Sequence, residues 1–448
     1  MENPKETRRP RIVAVLSENF GLSSTVASLV TLFAAAVCIF AVVWFVRTAP
    51  PRTLTISSGR PGSTFQRHAE SYQKVLATHG VTLRILPSEG SKENLQRLGT
   101  AESGVDIAFV QGGLTDGVNL SELVSLGSIS YQPLWIFYRG QTTINRLSAL
   151  EGKRIAIGDE RSGTHVLALA LLKANGITGA PTTLLDLDAE EAAKGLTDGS
   201  VDAVFLMGES APTQTLRALI RSPDVQAYNF TQADAYVRRY AYLNRIELPE
   251  GSIDFGKNLP AHDLVLIGPT VELVARKGLN SALSDLLLDV AREVHGKSGL
   301  FHKRGEFPAP LEHEFKISDD AIRFYKSGKS FLFRAIDSFW LASLLNRMLV
   351  AFVPVVLLLV PAIRFLPSAY KWSIQLRFYR CYRRLLRLEQ DAEGSPSNEQ
   401  RQILLERLNE IEKVVNHLKV PASFGDRFYL LQGHIKFVRE RLVELSRS

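Results

Sequence analysis

Cysteine is nearly missing from this chain: two occur in 448 residues, Cys38 and Cys381, and none between residues 52 and 335. That central stretch has no disulfide and must be held by its own core, for which an apolar composition of 45% is ample. A cysteine-based metal site is excluded with it. The nine histidines include no H-E-x-x-H pair, and His302 and His313 fall with Glu306, Glu312 and Glu314 in a proline-containing loop where solvation is expected. Neither G-x-G-x-x-G nor G-x-x-x-x-G-K-[ST] occurs, so no metal and no cofactor is expected. A nucleophile at a motif spacing is also missing. Ser162 lies in E-R-S-G-T rather than G-x-S-x-G, and nearby His165 faces another direction at a helix start, so an enzyme is not expected.

Charge is missing locally. No charged residue occurs from Gly21 to Val46, a run long enough for a bilayer core of about 30 Å. Lys5, Arg8, Arg9 and Arg11 precede it as in a signal peptide, but the run exceeds the usual length and no small-x-small cleavage site follows, which favours an uncleaved anchor. A second apolar run, 338–363, carries Pro354 and Pro361 and is interrupted by Arg347, which could snorkel to an interface. Beyond it acids are missing: Arg364, Lys371, Arg377, Arg380, Arg383, Arg384 and Arg387 stand with no acidic residue among them. The positive-inside rule then predicts a cytoplasmic N-terminus over 1–20, spans at 21–46 and 338–363, and a cytoplasmic tail over 364–448. Residues 52–335 would lie in the periplasm, at a bacterial inner membrane.

Between the two runs, short apolar strands alternate with helices, which predicts an α/β fold with parallel strands. TLTISS (53–58), VTLRILPS (81–88) and VDIAFVQ (105–111) are expected strands, separated by helices over 63–78 and 92–100. Residues 123–139 add one or two strands, broken at Pro133. A second set repeats the order: a strand from Arg154, a helix over 164–175, a strand over 182–187, a helix over 189–197 and a strand over 201–207, followed after Gly208 by a helix over 213–220. The stretch 234–315, with the strand HDLVLIG and a helix over 281–295, would cross back. Two similar lobes are expected across a cleft, lobe 1 over about 52–140 and 235–315 and lobe 2 over about 141–234, with ligands collecting beyond the carboxyl ends of the strands. At Gly158–Thr164 a helix start offers unpaired N–H groups beside the hydroxyls of Ser162 and Thr164, a combination that can hold an anion or simply cap the helix. The stretch Leu54–Val75 repeats that junction.

Five short patterns occur in order: Gly59 with Gly62-Ser63-Thr64-Phe65, Gly90-Ser91 with Asn94-Leu95, Asp106 through Val110-Gln111, Ser162-Gly163-Thr164, and Asp202-Ala203. Over about 53–310 this resembles the TAXI-type solute receptors of TRAP transporters. The resemblance implies a type II periplasmic-binding-protein fold closing on a small organic anion, a carboxylate or an amino acid, for transfer to TRAP permease subunits. It also implies the binding residues: Ser58, Ser63, Thr64 and Phe65 in the first loop, Ser91 and Asn94 in the second, Gln111 at a strand end, Ser162, Gly163 and Thr164 from the opposing lobe, and Gly208 permitting close approach. Phe65 stands where that family favours Tyr, and Arg60 and Pro61 replace part of its Gly-rich loop. Arg60, Lys92 and Arg161 could add charge for an anion or be plain surface residues.

In the tail, arginines interleave with Phe378, Tyr379, Tyr382 and Leu385, a pattern suited to anionic lipid headgroups and not to nucleic acid. After a spacer at 391–398, Leu404, Leu408, Ile411, Val415 and Leu418, then Phe428, Leu431, Ile435, Val438, Leu442 and Leu445, keep heptad-like steps around a turn at 421–425. Two short helices bury little area alone, so the expectation is an antiparallel hairpin that packs on a twin, giving a homodimer. A ligand sensor, reporting through the second span and these helices to a partner protein, is the alternative to a transport receptor.

Overall fold

The computed structural model describes residues 24–444 apart from 116, 141, 394–396 and 419–423. The expected N-terminal segment 1–20 and the start of the first span therefore lie outside the described residues. The chain divides into two compact units, residues 48–346 and the remainder on either side.

Helix α1 (Ser24–Arg47) precedes the larger unit. In the first half of that unit β1 (Thr53–Ser57), β2 (Thr82–Leu86) and β3 (Ile107–Gln111) run parallel, with α2 (Thr64–Thr78) and α3 (Ser91–Gly99) in the crossovers and β4 (Leu123–Tyr131) after them. The second half holds β5 (Leu134–Arg139), β6 (Arg154–Ala156), α4 (Gly163–Ala174), β7 (Thr183–Leu185), α5 (Ala189–Asp198), β8 (Ala203–Met207), α6 (Thr213–Ile220) and β9 (Val225–Ala227). Then come α7 (Ala233–Arg239), β10 (Leu243–Leu248), β11 (Leu264–Arg276), α8 (Ser281–His295), α9 (Asp319–Ser327) and α10 (Phe331–Ala335). The two-lobed α/β arrangement expected from the sequence is the one observed.

The sheet order is β2-β1-β3-β11-β5-β8-β6-β7. Its central strands are apolar on both faces because helices cover both faces. In β3, Ile107 and Phe109 enter one core while Ala108 and Val110 enter the other, and in β8 Ala203, Phe205 and Met207 alternate in the same way with Val204 and Leu206.

The long strand β11 belongs to both lobes. Val271–Ala275 pair antiparallel with β3, whereas Leu264–Pro269 pair with β10, and Ile267 pairs with Leu134 of β5. The chain thus crosses between lobes at 132–133 and again near 269–270, not at about 140 and 235. The cause is Pro133: it ends β4 and lets β5 turn onto β8, with Leu134 opposite Met207. Gln132 N–H donates to Pro269 O (2.8 Å), so the two crossing segments are bonded to each other.

The smaller unit contains α1, most of a continuous helix α11 (Phe339–Glu393), α12 (Asn398–Asn416) and α13 (Gly425–Glu444). Its apolar core takes Ile374, Phe378, Cys381, Leu385, Leu388 and Ala392 from α11, Leu404, Leu408, Ile411 and Val415 from α12, and Leu431, Ile435, Val438 and Leu442 from α13. The expected two-helix hairpin is therefore a three-helix bundle. The seam assigned to a twin is covered by this chain's own basic segment, which removes the reason given for a homodimer. Phe378, assigned to lipid, lies in the core, and Tyr382 packs on His434 (5.5 Å between centroids), while Tyr379 is exposed. Leu445 and the turn at 421–423 lie outside the described residues.

Among the described residues no helix is long and apolar enough to cross a membrane. The spans expected at 21–46 and 338–363 are accordingly not supported. Arg347, expected to reach an interface, instead donates from Nη1 to Phe45 O (3.0 Å) and lies over the Phe45 ring (4.8 Å).

Candidate functional site

The carboxyl ends of β1, β2 and β6 lead into the starts of α2, α3 and α4, and those of β3 and β8 carry Gln111 and Glu209 to the same place between the lobes. Helix α3 begins at Gly90, which offers no side-chain cap, so the amide of Ser91 needs a partner from elsewhere. It finds one across the cleft: Ser91 N–H donates to Glu209 Oε2 (2.7 Å). From the other lobe, Thr164 N–H at the start of α4 donates to Glu209 Oε1 (2.6 Å), and Thr164 Oγ1 to the same oxygen (3.2 Å). Two helix N-termini, one from each lobe, thus grip one carboxylate. Both contribute partial positive charge where it sits. Glu209 is fully buried; burial raises its pKa, and the hydrogen bonds from Ser91 and Thr164 oppose that rise.

The backbone around this carboxylate is cleared for it. A Cβ on Gly90 would come within 2.9 Å of Glu209 Oε2, and Gly90 has a φ of 138°. A Cβ on Gly163 would come within 2.4 Å of Gln111 Cδ, so the lobes meet here at glycine distance. Gln111 is 1% exposed, and its Oε1 has no hydrogen-bond partner. With its amide oxygen turned toward them, Gln132 accepts from the backbone N–H groups of Gly208 (2.7 Å) and Glu209 (2.5 Å), tying the β8–α6 turn to the crossing segment.

The residues expected from the sequence separate into two groups. Ser91, Gln111, Gly163, Thr164 and Gly208 gather around the interlobe contact, with Thr64 N–H donating to Gly208 O (2.7 Å). Others hold local structure. Ser63 Oγ accepts from Gln66 N–H as the N-cap of α2, and Ser58 Oγ donates to Gln66 Oε1 (2.8 Å). Ser162 Oγ accepts from His165 N–H and donates to Asp159 O (2.7 Å), the geometry of a cap and not of a nucleophile. Asn94 is buried within lobe 1, and Phe65 packs in the core against Phe109 (5.5 Å between centroids), so its ring does not face the cleft. Glu209 was not among the expected residues. The signal for it was an acid directly after Gly208 at the end of the apolar strand VFLM, where a charge has no structural reason to stand.

Arg60, Lys92 and Arg161 link the lobes at the cleft rim. Arg60 pairs with Glu89 and with Asp188 (3.0 Å), Arg161 Nη2 lies 3.5 Å from Glu89, and Lys92 Nζ donates to Glu160 O (2.9 Å). Among the described residues no group of three metal-ligating side chains converges. The loop expected to be solvated is instead partly tied down: Tyr131 Oη donates to Glu306 (2.9 Å) and Gly113 N–H to Glu314 (2.8 Å).

Among solved structures, the chain is similar to the periplasmic aliphatic sulphonate binding protein SsuA from Escherichia coli, at 16% identity, over 55% of this chain and 73% of that one, with a TM-score of 0.35. It is similar also to an ancestral arginine-binding protein bound to arginine, at 16% identity, over 54% of this chain and 92% of that one, with a TM-score of 0.34. At the level of sequence, residues 67–280, which run through both lobes, match the model of the NMT1-like family.

Proposed function

We propose that residues 48–346 form a solute receptor of the TAXI type, which closes on a small organic anion, a carboxylate or an amino acid, and delivers it to TRAP permease subunits. The domain works on the periplasmic side of a bacterial inner membrane in this reading. One observation carries it: helix starts from opposite lobes, at Ser91 and Thr164, aim their amides at the same carboxylate. Neither N-terminus alone would bind an anion tightly, but the pair does so only with the lobes together. Anion recognition is thereby coupled to closure.

Thermal unfolding of the full chain against a panel of small carboxylates and amino acids tests the reading. At least one compound is expected to raise the midpoint by several degrees at saturation; a flat response across the panel refutes it.

A second reading, a ligand sensor acting through a partner protein, is favoured by helix α11. This helix spans Phe339–Glu393 and supplies Ile374, Phe378, Leu385 and Leu388 to the bundle core. A permease gene beside this one would favour transport, and a signalling neighbour would favour sensing. The exposed Arg377, Arg380, Arg383, Arg384 and Arg387 of the same helix suit anionic lipid headgroups.

A further inference from the structure

The carboxylate between the two helix starts belongs to the chain itself. It reaches Ser91 from 118 positions away, it is held by backbone amides of both lobes and the Thr164 hydroxyl, and among the described residues no cationic side chain pairs with it. A glutamate serving only as structural glue could be anchored in either lobe. This one is presented by the lobe 2 turn that Gln132 of the crossing segment fixes, and it extends to the helix start of the opposite lobe. The closed arrangement also leaves a want beside it: Gln111 Oε1 is buried against Gly163 with no donor. An internal carboxylate therefore closes the cleft while one polar atom of the site stays unanswered.

We propose that Glu209 is a tethered stand-in for the solute: its side chain occupies the carboxylate seat formed by Ser91 and Thr164, holds the lobes closed without solute, and must leave before a solute carboxylate can enter. The inference rests on the receptor reading above. Its physical content is competition. A tethered group acts at a high effective concentration, so the apparent affinity for any external carboxylate falls by the factor by which the occupied state exceeds the vacated one. A small carboxylate with no other contacts cannot displace Glu209. A solute able to do so must add contacts of its own, and a donor to Gln111 Oε1 is one.

Glu209→Ala tests this directly, because the fragment it deletes is the size of acetate. In the full-length variant, acetate is expected to raise the unfolding midpoint by several degrees and to bind about tenfold or more tightly than to the wild type, with acetamide inert. Hydrogen exchange supplies a second readout. The amides of Ser91 and Thr164, protected in the wild type, are expected to lose protection in Glu209→Ala and regain it with acetate. An equal acetate response in both proteins overturns the stand-in while leaving the receptor intact. No response in either overturns the seat itself. If acetate restores Glu209→Ala but the wider panel leaves both proteins unmoved, the receptor reading falls and the seat stands. Should Glu209→Ala not fold, Glu209→Gln keeps the volume and removes the charge. Full retention of exchange protection at both amides in that variant would also overturn the proposal.

Discussion

Asn94 uses all of its hydrogen-bonding capacity inside lobe 1. Its Oδ1 accepts from Ser57 Oγ (2.6 Å) and Ser88 Oγ (2.7 Å), and its Nδ2 donates to Ser58 O (2.6 Å) and Phe109 O (2.8 Å). No capacity is left over, so the side chain at this motif position braces the loops of lobe 1 that end at the interlobe contact. Phe65 follows the same logic, since helical phase sends its ring inward. Sequence motifs locate loops well and side-chain direction poorly: they lead to the Ser91 and Thr164 loops, whose amides meet at the interlobe contact, but do not single out Glu209. Glu272 of β11 allows a sharper test at this scale. It is 1% exposed, and burial, opposed by the Ser125 hydroxyl and aided by Glu314 and Glu312, pushes its pKa up to about 7. A raised carboxyl pKa means that the folded state holds the proton more tightly than the unfolded chain. Stability from this group is full below about pH 4.5 and declines as pH rises to about 7. Glu272→Gln is expected to gain about 2–3 kcal/mol over the wild type at pH 8 and little at pH 4.5; denaturant unfolding at the two pH values checks it.

Helices α6 and α8 fall at the residues the sequence predicts, because each is amphipathic over its length and begins after a loop residue. The elements β9, α7 and β10 went unseen. The first two span three and seven residues, too few for periodicity to show, and the aromatic residues Tyr228, Phe230 and Tyr236 hold that segment through tertiary burial. The tail gives the opposite case. Ile374, Phe378, Cys381, Leu385, Leu388 and Ala392 keep heptad steps in the sequence, but the density of arginines around them suggested a lipid surface instead of a third bundle helix. This bundle yields a direct comparison. Leu408 is fully buried and Leu430 is exposed, so Leu408→Ala is expected to cost about 2–5 kcal/mol of bundle stability and Leu430→Ala less than about 0.5 kcal/mol, as followed by chemical unfolding monitored through helix content.

At the scale of the molecule, closure depends on contacts that are individually small. The rim pairs of Arg60 and Arg161 are partly solvated and contribute at most about 1 kcal/mol each. A close approach is that of Gly163 to Gln111, where the glycine puts no side chain against the Gln111 amide. Gly163→Ala places a methyl group against the buried Gln111 amide and is expected to wedge the lobes apart while leaving each lobe's core intact. Solution scattering of the full chain should give a larger radius of gyration than the wild type; an unchanged value would mean that Gln111 can yield without opening.

The strand shared by the lobes sets a schedule for folding. Residues 264–276 lie between β3 and β5 in the sheet order, so the pairing of either lobe stays incomplete until that segment has left the ribosome. Lobe 1 has its first three strands by residue 111 and then waits for more than a hundred residues before its fourth neighbour exists. During that interval the open edge of β3, apolar on both faces, is the surface a nascent chain must shield, and chaperone demand during synthesis should peak there and fall once residue 276 is free.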